Sequence, residues 1–217
     1  MKKILLIATG GTIASRETEH GLRPALSADD LRAAMGVKDA DTLDLLALDS
    51  TNIAPTHWER IARCVADCRQ AHDGIIISHG TDTMAYTAAA LYYMLEHIDR
   101  PVVLTGAQRP LGTADSDAGA NLRLAARAAL SGHAGVMIAF GGRIIHGNAA
   151  KKVHSLADDA FRSIGRTEID LDAAPVPPSA PFCLHGTLER RVAVLRLYPG
   201  MSPDAVTSCI RNGCRGI

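Results

Sequence analysis

What the sequence has little of narrows its function first. Its 217 residues carry no net charge, 23 basic against 23 acidic side chains, and no basic run. A nucleic-acid surface is therefore not indicated. No apolar stretch approaches the roughly 20 residues that cross a bilayer, so no membrane contact is expected. The five cysteines (Cys64, Cys68, Cys183, Cys209 and Cys214) are odd in number and include no CxxC pair. Reduced structural thiols are expected rather than disulfides or zinc. The histidines are scattered; His146 and His154, eight apart, fit no common metal spacing and read as structural or surface groups, so no metal site is expected. The glycines near the start follow neither GxGxxG nor the P-loop pattern, which disfavours a phosphate site. The apolar opening, residues 1–8, is short and broken by Gly10-Gly11-Thr12. It reads as a first strand, not a signal peptide, and a cytoplasmic protein is expected.

What is present centres on residues 74–84, GIIISHGTDTM. Ile75, Ile76 and Ile77 form an apolar run too short for a helix, as in a strand buried on both faces. Ser78-His79-Gly80 suits a tight turn, and residues 84–96 are helix formers, with Asp82 or Thr83 as the N-cap. Short polar side chains thus gather where a strand ends and a helix begins. Asp and Thr at a helix start are commonly only caps, but the arrangement recurs: strand 3–8 ends in Thr9-Gly10-Gly11-Thr12, whose paired glycines permit a sharp turn and close approach. Residues 16–27 read as a mobile loop near Thr12, either a lid or a plain connector. Ser27 or Asp29 is positioned to cap a short helix through Met35.

Strand 43–48 follows and ends in Asp49-Ser50-Thr51-Asn52. A helix 57–70 opens at Pro55-Thr56 with Trp58, Ile61, Val65 and Cys68 on its inner stripe. Strands 101–105 and 135–140 and a helix 121–130 complete a βαβαβαβαβ pattern. This predicts an α/β fold: a mostly parallel sheet with helices on both faces, flavodoxin- or Rossmann-like, followed by the start of a second, smaller α/β domain. In such a sheet the polar loops 9–12, 49–52, 78–83 and 105–108 share one edge, where ligands bind. Lys151 and Lys152 are by composition solvated surface, yet a lysine there can reach that edge. Three domain segments are expected: 1–170, a linker 171–189 rich in Ala and Pro, and 190–217, with a strand 191–197 and a helix from Ser202-Pro203 to Arg211.

TGGTIAS at 9–15, DSTN at 49–52, HGTDTM at 79–84, TGAQRP at 105–110 and GNAAKKVHS at 147–155 together resemble the bacterial-type L-asparaginase family. VAVLRLYPGMSPD at 192–204 is similar to the opening of that family's C-terminal domain. The resemblance implies hydrolysis of L-asparagine to L-aspartate and ammonia, without metal or cofactor, in a homodimer or homotetramer. It implies that Thr12 is the nucleophile and that Thr81, Asp82 and Lys152 are the second threonine, its aspartate and its lysine. Ser50 and Thr51 match the segment holding the substrate α-carboxylate, Asp82 is expected to take the α-ammonium, and Ala107 lies in the segment against the amide. A threonine hydroxyl needs a base or a lowered pKa to attack; a desolvated, partly neutral Lys152 fits that need. Backbone N–H groups in the turn before Met84 are expected to hold the oxyanion.

Two departures bear on these expectations. The family's loop tyrosine is matched by Leu22, and no tyrosine occurs before Tyr86. Most of the family's C-terminal domain has no counterpart, and the family completes each site from a neighbouring subunit's C-terminal domain; low activity of the 217-residue chain alone is therefore expected. Two alternatives remain: an ammonia-releasing subunit of a tRNA-dependent amidotransferase, against which the start directly at a first strand speaks, and a catalytically silent amino-acid-binding or interaction module.

Overall fold

A computed structural model describes residues 2–19, 21–37 and 39–217, without the side chains of Glu17, Leu22 and Pro24. Its contacts divide the chain into a larger unit ending at Gly186 and a smaller one, Thr187–Ile217. The larger unit begins with β1 (Ile4–Gly10), a 3-10 turn (Thr12–Ala14), a hairpin of β2 (Ser15–Thr18) and β3 (Gly21–Pro24), and α1 (Ala28–Ala34). There follow β4 (Ala40–Leu48), a second 3-10 turn (Ser50–Asn52), α2 (Pro55–Cys68), β5 (Gly74–Ser78), α3 (Met84–Met94) and the short β6 (Leu95–Glu96). It continues through β7 (Pro101–Thr105), α4 (Ala118–Ser131), β8 (Gly135–Phe140), β9 (Arg143–His146), β10 (Ala150–Lys152), β11 (Phe161–Ser163) and β12 (Cys183–Leu184).

Six strands form one sheet in the order β4-β1-β5-β7-β8-β9. The first five run parallel, and β9 returns antiparallel to β8. This is the expected mostly parallel α/β fold, with the flavodoxin-like reversal of order beside β1. β1, β5 and β7 are buried along their whole length. Alternate side chains serve opposite faces. Ile4, Leu6, Ile76, Val103 and Met137 join Leu31 of α1 and Leu122 of α4 in one core. Leu5, Ile7, Ile75, Ile77, Val102 and Leu104 are buried on the other face, where α3 packs against β7 and β8, and α2 against α3. Burying each such isoleucine contributes about 2 kcal/mol. The alanines of α4 have a steric reason: its backbone lies directly on β5, so that a Cβ on Gly74 would stand 2.1 Å from Ala129 O.

Local chemistry sets the element ends. Ser27 caps α1 in a box with Asp30, whose carboxylate accepts from the Ser27 N–H at 2.8 Å. Pro55 opens α2, and Ile61 and Val65 are its buried stripe while Trp58 and Cys68 are only half-buried. The stretch 16–27 is not a featureless loop: β2 and β3 pair from Ser15–Pro24 to Thr18–Gly21. Leu22 pairs with Glu17 in that ladder, and its side chain lies outside the described residues. β9 was not expected; Gly141 and Gly142, at φ 56° and 78°, supply the turn that folds it back on β8. No helix or strand occurs in 171–182, and no helix among the described residues is long and apolar enough to cross a membrane.

In the smaller unit α5 (Asp204–Arg211) forms where a helix was expected. The strand expected at 191–197 does not form. A strand needs a ladder of neighbouring N–H and C=O groups, and this segment finds only an isolated bridge between Val192 and Gly216. The five cysteines are free thiols. Burial, with the Cys68 thiol beside it, pushes Cys64 up to about 12, so that thiol stays protonated.

Candidate active site

The four polar loops converge through glycine. Gly11, at φ 79° and ψ 175°, lies so near the loop after β5 that a Cβ would stand 2.3 Å from Gly80 N. A Cβ on Gly80 would meet Ser50 Oγ at 2.5 Å, one on Gly10 would meet Leu48 O at 2.4 Å, and one on Gly106 would meet His79 O at 2.3 Å. The ends of β1, β4, β5 and β7 therefore touch backbone to backbone or backbone to hydroxyl. Hydrogen bonds tie the same edge: Gly11 N donates to Leu48 O (2.9 Å), His79 N to Thr105 O (2.8 Å) and Thr9 Oγ1 to Ser78 O (2.6 Å). The Thr12 and Thr81 loops leave the adjacent strands β1 and β5, at the point where strand order reverses, which is where ligands bind in open α/β sheets.

Lys152 reaches this edge from β10. Its Nζ donates to Thr81 Oγ1 at 2.8 Å and to Asp82 Oδ1 at 2.7 Å. The lysine side chain is 16% exposed and the Asp82 side chain 61%, so the pair has one withdrawn and one open member. Thr81 Oγ1 donates in turn to Gln108 Oε1 (3.3 Å), whose Nε2 is held by the carbonyls of Ser155 (3.1 Å) and Ala157 (3.0 Å). In this arrangement the Thr81 hydroxyl accepts from Lys152, and its own proton points at Gln108.

The structure thus joins Thr81, Asp82 and Lys152 in one hydrogen-bonded cluster. Ala107 is fully buried next to Gln108, and Ser50 is buried against Gly80. Thr12 is half-buried at the start of its 3-10 turn; among the described residues no side-chain hydrogen bond holds its Oγ1. Thr51 does not join the cluster, because its N–H and hydroxyl both donate to Asp49 Oδ1, at 2.8 and 2.7 Å. Thr83 occupies the N-cap of α3 without capping it; its hydroxyl donates to Ser50 O at 2.7 Å and so links two loops instead.

Four supports have no signal in the local sequence. Gln108 sits inside TGAQRP, but nothing beside it marks it as the partner of Thr81. Asp117, at the start of α4, accepts from Gln108 N and Arg109 N at 3.0 Å rather than capping its helix. Buried Asn121 donates to Gly106 O and accepts from Gly141 N, both at 3.0 Å. The fourth support is a relay beneath the Thr81 loop. Trp58 Nε1 donates to Thr87 Oγ1 (2.9 Å), Thr87 Oγ1 to His79 Nε2 (2.9 Å), and His79 Nδ1 to Gly80 O (2.8 Å). The Gly80 carbonyl only accepts, so His79 Nδ1 carries a proton, and complete burial disfavours a second one, which leaves Nε2 to accept from Thr87.

That relay has a pH signature. Complete burial pushes His79 down to about 4, against 6.5 for a free imidazole. As pH falls below 6.5 the unfolded chain takes up a proton that the folded one refuses, so stability falls progressively toward pH 4, by about 3 kcal/mol in all, and is flat on this account above pH 7.5. Denaturant unfolding of wild type and His79→Gln checks this; the carboxamide offers the same donor and acceptor but does not titrate. An unchanged acid slope in His79→Gln would contradict the assignment.

The family model described as Asparaginase, N-terminal, matches residues 3–172, the whole six-stranded sheet included. The L-asparaginase of Thermococcus kodakarensis is 40% identical over 222 residues, which span 96% of this chain and 68% of that protein. The solved structure of that thermostable enzyme superposes with a TM-score of 0.86 at 39% identity, again over 96% and 68% of the two chains. A probable cytoplasmic L-asparaginase from Campylobacter jejuni superposes with a TM-score of 0.79 at 28% identity, over 100% of this chain and 74% of that one. A glutamyl-tRNA(Gln) amidotransferase subunit of Pyrococcus furiosus is 36% identical over 239 residues, 99% of this chain; the chain spans 55% of its length. Sheet and likenesses together define an α/β amidohydrolase. The chain belongs to the asparaginase family.

Proposed function

We propose that the protein hydrolyses the side-chain amide of L-asparagine to L-aspartate and ammonia, with Thr12 as nucleophile. Thr12 Oγ1 forms the bond to the amide carbon, its proton leaves with the nitrogen as ammonia, and water then cleaves the resulting ester and restores the threonine. Thr81 and Lys152 relay the proton, and Asp82, open to solvent on one side, pairs with Lys152 while taking the substrate α-ammonium. Ser50 and Thr51 receive the α-carboxylate, Ala107 lines the amide, and N–H groups of the turn before Met84 hold the oxyanion. We read the enzyme as a cytoplasmic homo-oligomer of two or four chains, with 1–170 as the catalytic domain.

The observation that carries this reading is the Thr81–Lys152–Asp82 cluster on the same edge as Thr12. A free Thr12 hydroxyl suits a nucleophile, since a hydroxyl already spent on a neighbour would have to be released first. Ammonia release and asparagine binding, measured side by side, test it. Thr12→Ala is expected to lower turnover at least about a thousand-fold while asparagine affinity changes less than tenfold. Binding without ammonia release by the wild type would leave the silent module standing. The likeness to the Pyrococcus furiosus amidotransferase protein supports a second reading with the same site; glutamyl-tRNA-stimulated ammonia release would select it.

A further inference from the structure

The histidine and cysteine scatter read from the sequence resolves, in the structure, into one cluster outside the asparagine site. β12 pairs antiparallel with β6, setting Cys183 opposite Glu96 and Leu184 opposite Leu95. His185 N donates to Met94 O at 2.8 Å and extends the pairing by one residue. Leu95 is buried, so the alternation of a strand turns Glu96, Cys183 and His185 to the outer face together. The Cys183 sulphur, a ring nitrogen of His185 and a carboxylate oxygen of Glu96 lie within 4.8 Å of one another. His185 Nε2 and Glu96 Oε2 are already 2.8 Å apart, and His97 Nε2 is 3.7 Å from Glu96 Oε1. A cleft of about 810 Å³ opens beside them, bordered by Glu96, His97, His146 and His185.

We propose that Glu96, Cys183 and His185 bind a thiophilic divalent cation of the zinc class. Thiolate, imidazole and carboxylate are each zinc ligands, and the soft sulphur disfavours magnesium and calcium. Tetrahedral bonds of about 2.0–2.3 Å put ligand atoms about 3.3–3.8 Å apart, so small side-chain rotations on a fixed ladder complete the site. The cleft leaves the fourth position to water or to His97. The ion would clasp β12 to the end of α3, ahead of the start of β7 and therefore on the edge of the sheet opposite the Thr12 and Thr81 loops. The proposal is independent of asparagine hydrolysis.

Untagged, metal-stripped protein titrated with Co²⁺, then Zn²⁺, tests it. One Co²⁺ per chain is expected, with a thiolate-to-cobalt charge-transfer band that one equivalent of Zn²⁺ removes. Cys183→Ser should abolish the band, and His185→Ala and Glu96→Gln should each weaken binding at least about tenfold. A Cys64→Ser/Cys68→Ser double variant should keep band and affinity. All three ligands are exposed, so metal-free variants should melt as wild type does. A band that survives Cys183→Ser, one lost with Cys64 and Cys68, or no Co²⁺ or Zn²⁺ binding to wild type would each overturn the proposal.

Discussion

Replacing Lys152 by methionine is expected to lower kcat/KM for asparagine by about 10³-fold or more. The substitution keeps the length and the apolar stem of the side chain and removes the amino group alone. In the resting site that amino group donates to Thr81 Oγ1 and to Asp82 Oδ1. Without it, Thr81 loses its donor and the relay proposed to start at Thr12 has no terminus. Stability should change little, because the Asp82 partner is 61% exposed and such pairs contribute about 1 kcal/mol or less. The loss should fall on kcat. Asp82, freed from Lys152, still faces solvent and still attracts the substrate α-ammonium, so KM should hold or drop. Thr81→Val should cost a similar factor by cutting the same relay one atom earlier. The double variant is the sharper test: groups acting as one unit do not add, so it should be no worse than the weaker single variant. Losses that multiply, or a Lys152→Met enzyme within tenfold of wild type, would show that the two residues do not share a proton path.

The parallel strands and the polar edge were legible because their signals are local. Ile75-Ile76-Ile77 is too short for a helix and too apolar for a surface, and Ser27 and Pro55 mark helix starts by their own chemistry. Convergence of the four loops followed from topology, while its intimacy did not: that Gly11 lies on Gly80, and Gly80 on Ser50, depends on strands that are neighbours in space only. What stayed hidden depends on distant partners. β6 is two residues long and meaningless without β12, which supplies its ladder from the far end of the unit. Gln108 becomes a site residue only because Lys152, from β10, approaches Thr81 on its other side. The absent strand at 191–197 is the converse case, a β-prone run of Val and Leu with one bridge and no ladder. β9 did have a local signal: Gly141-Gly142 between two apolar runs is a hairpin turn.

The glycines at the loop junction should be as intolerant as the relay. Gly11→Ala is expected to lower folding stability by about 3–5 kcal/mol, from two separable causes. At φ 79° and ψ 175° Gly11 occupies a region that side chains avoid, and its Cβ would stand 2.3 Å from Gly80 N and 2.5 Å from Gly80 Cα. Those are backbone atoms, fixed by the His79 N to Thr105 O bond and the Gly80 carbonyl held by His79, so they have no rotamer by which to yield. Gly142→Ala isolates the first cause. It has nearly the same φ, 78°, with nothing within 4 Å of its Cβ, and should cost only about 1–2 kcal/mol. The same contrast should appear in activity. Separating the Thr12 and Thr81 loops by even about 1 Å should cost roughly 10²-fold in kcat/KM, in protein still folded by circular dichroism. Gly142→Ala, in the turn between β8 and β9, should stay within a few-fold of wild type. If the two alanines destabilise equally, the loops have room to part, and the close approach of Gly11 to Gly80 is not what holds Thr12 beside the Thr81–Lys152 pair.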